Sequence, residues 1–157
     1  MKYLVIALLM AALAATLPAS AETRHVIASV GQQIKGNSRE IGLRYIGLPV
    51  WGPLRPTLGV SRALNGSGHV GAGFGFYWQR GREGAFVRLG TIAGIHKRGN
   101  GRDLGGPIMF RSALDLGYRT ARGVEFGLGV DHRSSARLYR PNPGLDTVYV
   151  FVGRAWN

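Results

Sequence analysis

Along most of the chain apolar and polar positions alternate. From His69 to Gln79, Val70, Ala72, Phe74, Phe76 and Trp78 fall on one face of an extended segment, and Gly71, Gly73, Gly75, Tyr77 and Gln79 fall on the other. This is the period-2 pattern of a strand with two unlike environments. The pattern recurs and predicts eight strands, at 24–33, 39–48, 56–64, 69–80, 84–96, 107–120, 123–134 and 146–156. The sixth sets Ile108, Phe110, Leu114, Leu116 and Tyr118 against Arg111, Asp115, Gly117 and Arg119, and the second sets Ile41, Leu43 and Tyr45 against Glu40, Gly42 and Arg44. One face is continuously apolar, and the other mixes Arg, acids and Gly.

Periodicity alone admits two all-β architectures. A soluble sandwich or lipocalin-like barrel turns the apolar face inward, whereas an outer-membrane barrel turns it outward to lipid. Three features favour the second. Several strands approach the 9–11 residues that a tilted strand needs to cross a bilayer. The polar face combines both charge signs with many of the 25 Gly, which suits a narrow barrel filled by side chains. Trp78, Tyr118 and Trp156 lie near strand ends, as interfacial aromatics do. The connections agree: 80–83 and 120–123 are short, while 97–106 and 135–145 are longer and basic, matching short periplasmic turns and long external loops. The expected fold is an all-β, eight-stranded antiparallel transmembrane (outer-membrane) β-barrel. Pro49 to Pro56, with three Pro and Trp51, is long for a periplasmic turn.

The N-terminus predicts export. Lys2, the apolar run Leu4 to Leu17 and a small-residue ending at Ala21 read as a signal peptide over 1–21, leaving 22–157 as one barrel domain. The charge is strongly basic, with 20 Lys+Arg against 8 Asp+Glu, and Lys occurs only at 2, 35 and 97. An exported chain meets little nucleic acid, so an Arg-rich surface points to an anionic phospho-glycolipid, whose phosphates Arg binds in a fork. No Cys is present, so the fold cannot depend on disulfides.

One stretch carries candidate chemistry. In the seventh strand His132 and Ser134 share parity with the apolar Val124, Phe126, Leu128 and Val130, and in the eighth Asp146 shares parity with Val148, Val150 and Val152. If 132 pairs with 146, their Cβ atoms stand about 4.5–5.5 Å apart. The imidazole then lies between Ser134 and Asp146, the order of a nucleophilic triad. Ionisable groups on a lipid face are costly without a purpose. The arrangement requires that no bulge near Asp131 reverses the parity.

His132-Arg133-Ser134, followed by Asn142-Pro143-Gly144-Leu145-Asp146 at the start of the last strand, resembles the outer-membrane lipid A 3-O-deacylases of the PagL family. The resemblance implies an esterase that removes the 3-O-linked 3-hydroxyacyl chain of lipid A without a metal or other cofactor. Ser134 would be its nucleophile, His132 its base and Asp146 the orienting acid, with Asn142 shaping the site. It places backbone oxyanion donors at Ser135 and Arg137, where the family pattern Asn-Ala-Gly is replaced by Ser135-Ala136-Arg137. The acid is Asp where the best-known relative has Glu. Arg133, Arg137 and Arg140 surround the motif and are candidates for binding lipid A phosphates, with Lys97, Arg98 and Arg102 on a neighbouring loop. Two other readings keep the same strands: a catalytically silent surface barrel serving structure or adhesion, and a soluble periplasmic barrel with a lipid inside.

Overall fold

A computed structural model describes residues 23–157; the expected signal peptide lies outside them. Eight strands form: β1 Arg24–Gln33, β2 Ser38–Ile46, β3 Leu54–Ala63, β4 Gly68–Gln79, β5 Gly84–Lys97, β6 Ile108–Arg119, β7 Val124–Ser134 and β8 Leu145–Trp156. Each pairs antiparallel with the next, and β8 returns to β1, so the sheet is a closed barrel with no free edge. Every boundary lies within two residues of its expected place.

Burial inverts that of a soluble protein. Along β7, Phe126, Leu128 and Val130 are 51%, 62% and 48% exposed, while Glu125, Asp131 and Arg133 between them are buried. The apolar wall faces lipid, and the charged face fills the interior. Two ion-pair networks hold it, one around Asp115 and Glu125, which share Arg88, and one around Glu40. Asp115 accepts from Arg44 Nη2 at 2.9 Å and Arg88 Nε at 3.0 Å, and also from the Tyr149 hydroxyl. Glu125 accepts from Arg88 Nη1 at 2.7 Å and bonds His25 Nδ1 at 2.9 Å. Glu40 pairs with Arg111 at 3.0 Å and with Arg133 at 2.9 Å. Ile27, Ile46, Tyr77, Phe86, Tyr149 and Phe151 form a buried apolar cluster in the same interior, and the Arg88 guanidinium stacks 4.5 Å from the Phe86 ring centroid. Burying so many ions is costly unless each has its partner, and here each buried carboxylate is met by at least one Arg.

The chain ends and the connections after β2, β4 and β6 share one end of the barrel; the other four connections share the opposite, external end. The long segment after β2 proves to be a hairpin tip. Val50 N–H donates to Leu54 O and Leu54 N–H to Trp51 O, and Gly52 supplies the positive φ of 53° that the turn needs. At the external end, Leu104 and Met109 from one long loop and its exit pack with Leu145 and Tyr139 of the other. This apolar contact ties the two long loops to each other.

Candidate active site

The register of β7 with β8 runs unbroken from Val124↔Arg154 to Arg133↔Leu145, so no bulge disturbs the parity. His132 therefore stands directly opposite Asp146, on the outer wall and at the external end of both strands. Their side chains meet: His132 Nδ1 lies 2.7 Å from Asp146 Oδ1. With the carboxylate ionised, Nδ1–H donates and Nε2 is left as the basic nitrogen. Both groups are partly open, the side chains being 57% and 40% exposed.

Gly144 sets the ring's position. It lies buried in the turn before β8 at φ 66°, and a Cβ there would sit 2.6 Å from His132 Cε1. Only a residue without a side chain leaves the imidazole this space. On the other side, β6 places Ser112 opposite His132, its hydroxyl 2.9 Å from that of Thr91. Ser134 emerges two residues beyond His132 on the same face, half-buried and opposite Phe110. Its hydroxyl makes no hydrogen bond to His132 among the described residues, so the His–Asp half of the expected constellation is closed and the Ser–His half is open.

The loop after Ser134 differs from expectation at two positions. The Ser135 N–H, expected as an oxyanion donor, donates instead to Asn142 Oδ1 at 3.0 Å, with Ser135 wholly buried. Asn142 thereby occupies that donor. Ala136 and Arg137 have φ of 49° and 68°, a left-handed pair in which glycine would be at ease and Arg is strained.

Of the basic candidates, Arg137 and Arg140 are exposed on the loop between β7 and β8. Arg133 is not a candidate for binding headgroups: it points into the barrel, is 0% exposed and is held by Glu40. Its position near the rim suggested a headgroup contact, but strand parity sends its side chain the other way. Arg98 is paired with Asp103 at 3.3 Å on its own loop.

Barrel closure adds a group that local reading missed. Lys35, on the loop between β1 and β2, puts its ammonium 3.8 Å from Asp146 Oδ2. No local signal marks it, because β1 and β8 are neighbours only once the sheet closes. The His–Asp pair itself lines a shallow groove on the wall, whose other members include the apolar Ile34, Leu89, Leu114, Val130 and Val148 with Ser112 and Thr147 among them. An ionisable pair in a largely aliphatic groove suits a ligand with a polar junction and a long acyl tail.

Solved outer-membrane barrels share this fold. The crystal structure of the outer membrane enzyme PagL superposes with a TM-score of 0.66 over 83% of this chain and 98% of its own, at 21% identity. The N-terminal β-barrel domain of Pseudomonas aeruginosa OprF gives 0.65 over 86% and 98% at 8% identity. The Yersinia pestis outer membrane protein Ail gives 0.56 over 86% and 99% at 9% identity. At such identities the likenesses establish the fold, an outer-membrane barrel. No curated protein sequence matches the chain. The sequence profile described as Lipid A 3-O-deacylase (PagL), however, matches residues 23–155, nearly all of the described barrel. The chain therefore belongs to the lipid A 3-O-deacylase family of outer-membrane enzymes.

Proposed function

We propose that this protein hydrolyses the 3-O-linked 3-hydroxyacyl ester of lipid A in the outer leaflet through Ser134, His132 and Asp146. The observation that carries the reading is the His132–Asp146 hydrogen bond in a lipid-facing, largely aliphatic groove. Asp146 fixes the proton on Nδ1, so Nε2 is free to act as base. Rotation of Ser134 toward Nε2 closes the second link once an acyl chain lies in the groove; such contacts tighten in substrate complexes.

Chemically, Ser134 Oγ attacks the ester carbonyl as its proton passes to Nε2. The tetrahedral intermediate collapses, the sugar 3-oxygen leaves with that proton, and an acyl ester remains on Ser134. Water, deprotonated by His132, then releases the hydroxy fatty acid. The Arg137 N–H is the proposed oxyanion donor; Ser135 contributes only if Asn142 gives up its hold. In this reading the exposed Arg137, Arg140 and Lys35 side chains bind the phosphates that orient the ester.

The open Ser134–His132 contact and the strained Arg137 favour one other reading, a catalytically silent barrel. Mass spectrometry of lipid A from cells expressing the wild type or Ser134→Ala separates the two. Loss of one 3-hydroxyacyl chain with the wild type alone supports the enzyme, and identical lipid A in both sinks it.

A further inference from the structure

The wall opposite the His132–Asp146 pair carries a second group of outward-facing cations. Arg62 on β3 and Lys97 on β5 both pair with Gly68 on β4, so they flank a residue with no side chain, about 10 Å apart across two strand spacings. Arg62 leans into this notch: a Cβ built on Gly68 would lie 3.7 Å from Arg62 Cδ. Arg39 stands on β2 two residues beyond Ile41, the partner of Arg62, and is thus its diagonal neighbour on the same face. All three are exposed, and none has an ion pair or side-chain hydrogen bond among the described residues.

No acid among the described residues offsets them. Glu40, Asp115, Glu125 and Asp131 point into the barrel, and Glu83 is at the far end. Asp146 is on the other wall, and Asp103 is taken by Arg98. Two residues toward the membrane from Arg62 and Lys97, the register aligns Leu43, Val60, Val70, Ile95 and Ile108, all exposed at 41–57%. The patch is therefore cationic above and aliphatic below, matching an anionic headgroup on acyl chains.

Its level is that of the candidate active site. The register row through His132 passes Ser112, Thr91 and Phe74 to Pro56 on β3. At a tilt of about 40°, four strand spacings lower that row by roughly 12 Å. Arg62 lies six residues further out along β3, which recovers about 15 Å. Arg62 and His132 thus face the same layer of the outer leaflet from opposite sides of the barrel.

We infer that Arg39, Arg62 and Lys97 form a second, non-catalytic lipid site that holds a phosphate of another lipid A molecule, whose acyl chains lie on the Leu43–Val60–Val70–Ile95 wall. Phosphate in the Gly68 notch accepts from the Arg62 fork on one side and the Lys97 ammonium on the other. A lipid held there cannot reach His132 of the same barrel. Naming lipid A as the ligand rests on the proposed function; the site itself rests on the charge pattern.

The test is native mass spectrometry of the folded protein carrying Ser134→Ala, released from nanodiscs containing bisphosphorylated lipid A. Adding Arg39→Gln, Arg62→Gln and Lys97→Gln together should remove one retained lipid A copy and raise its half-saturating concentration roughly tenfold or more. Heat-dependent gel mobility confirms that each variant is folded. Unchanged retention in the triple variant overturns the site. Equal retention of phosphatidylglycerol, or of dephosphorylated lipid A, overturns the assignment to a lipid A phosphate. Failure of the esterase reading removes at most a copy bound at His132, which the triple variant does not affect, so the two failures are told apart.

Discussion

Replacing Gly144 with Ala tests whether the turn before β8 positions the base. The new Cβ would lie 2.6 Å from His132 Cε1 and 3.3 Å from Nε2. Ordinary carbon contacts are about 3.5–4.0 Å, so the ring or the turn must give way by about 1 Å. The displaced ring loses its alignment with Asp146 Oδ1, now 2.7 Å from Nδ1, and with any incoming Ser134 hydroxyl. A misplacement of about 1 Å costs on the order of 100-fold in rate, about 2.7 kcal/mol of transition-state stabilisation. An L-residue at φ 66° also adds about 1–2 kcal/mol of local strain, confined to a loop, so the barrel should still fold. The assay is release of hydroxy fatty acid from lipid A by the refolded, heat-modifiable protein, with kcat and KM determined separately. The fall should be in kcat with KM nearly unchanged, since phosphate contacts are untouched. A Gly144→Ala enzyme whose kcat stays within about twofold of wild type refutes the claim that this glycine seats the imidazole.

Other substitutions probe the remaining parts of the argument. Asp146→Asn keeps the shape but no longer holds the proton on Nδ1; kcat should drop by roughly 10³–10⁴, whereas Asp146→Glu should retain much of the activity. Arg137→Gly relieves a left-handed Arg and should stabilise the barrel by about 1 kcal/mol, read as a higher urea midpoint in lipid vesicles; no shift, or a lower midpoint, contradicts the strain argument. Glu40→Gln leaves Arg111 and Arg133 without their shared carboxylate inside the barrel and should cost about 3–5 kcal/mol in the same measurement, with lipid A KM unchanged in whatever fraction folds.

Much of this protein was legible in the sequence because a strand's side-chain period is local. Parity by itself placed Phe126, Leu128, Val130, His132 and Ser134 on one wall and Glu125 and Asp131 on the other, and the turn between β7 and β8 brought His132 opposite Asp146. Parity also sent Arg133 inward, where Glu40 holds it, although its closeness to the rim had suggested a headgroup contact. Other features depend on contacts that no window of sequence contains. Closure of β8 onto β1 brings Lys35 to Asp146, 111 residues along the chain. The hold of Asn142 on the Ser135 N–H and the left-handed backbone at Arg137 lie in a loop, where alternation carries no signal. The row of Arg39, Arg62 and Lys97 appears only when register aligns three separate strands around Gly68. Alternation is a property of neighbouring residues, and so the sequence determined which way each side chain points. Register and closure are properties of the whole sheet, and so only the tertiary structure decided which side chains meet.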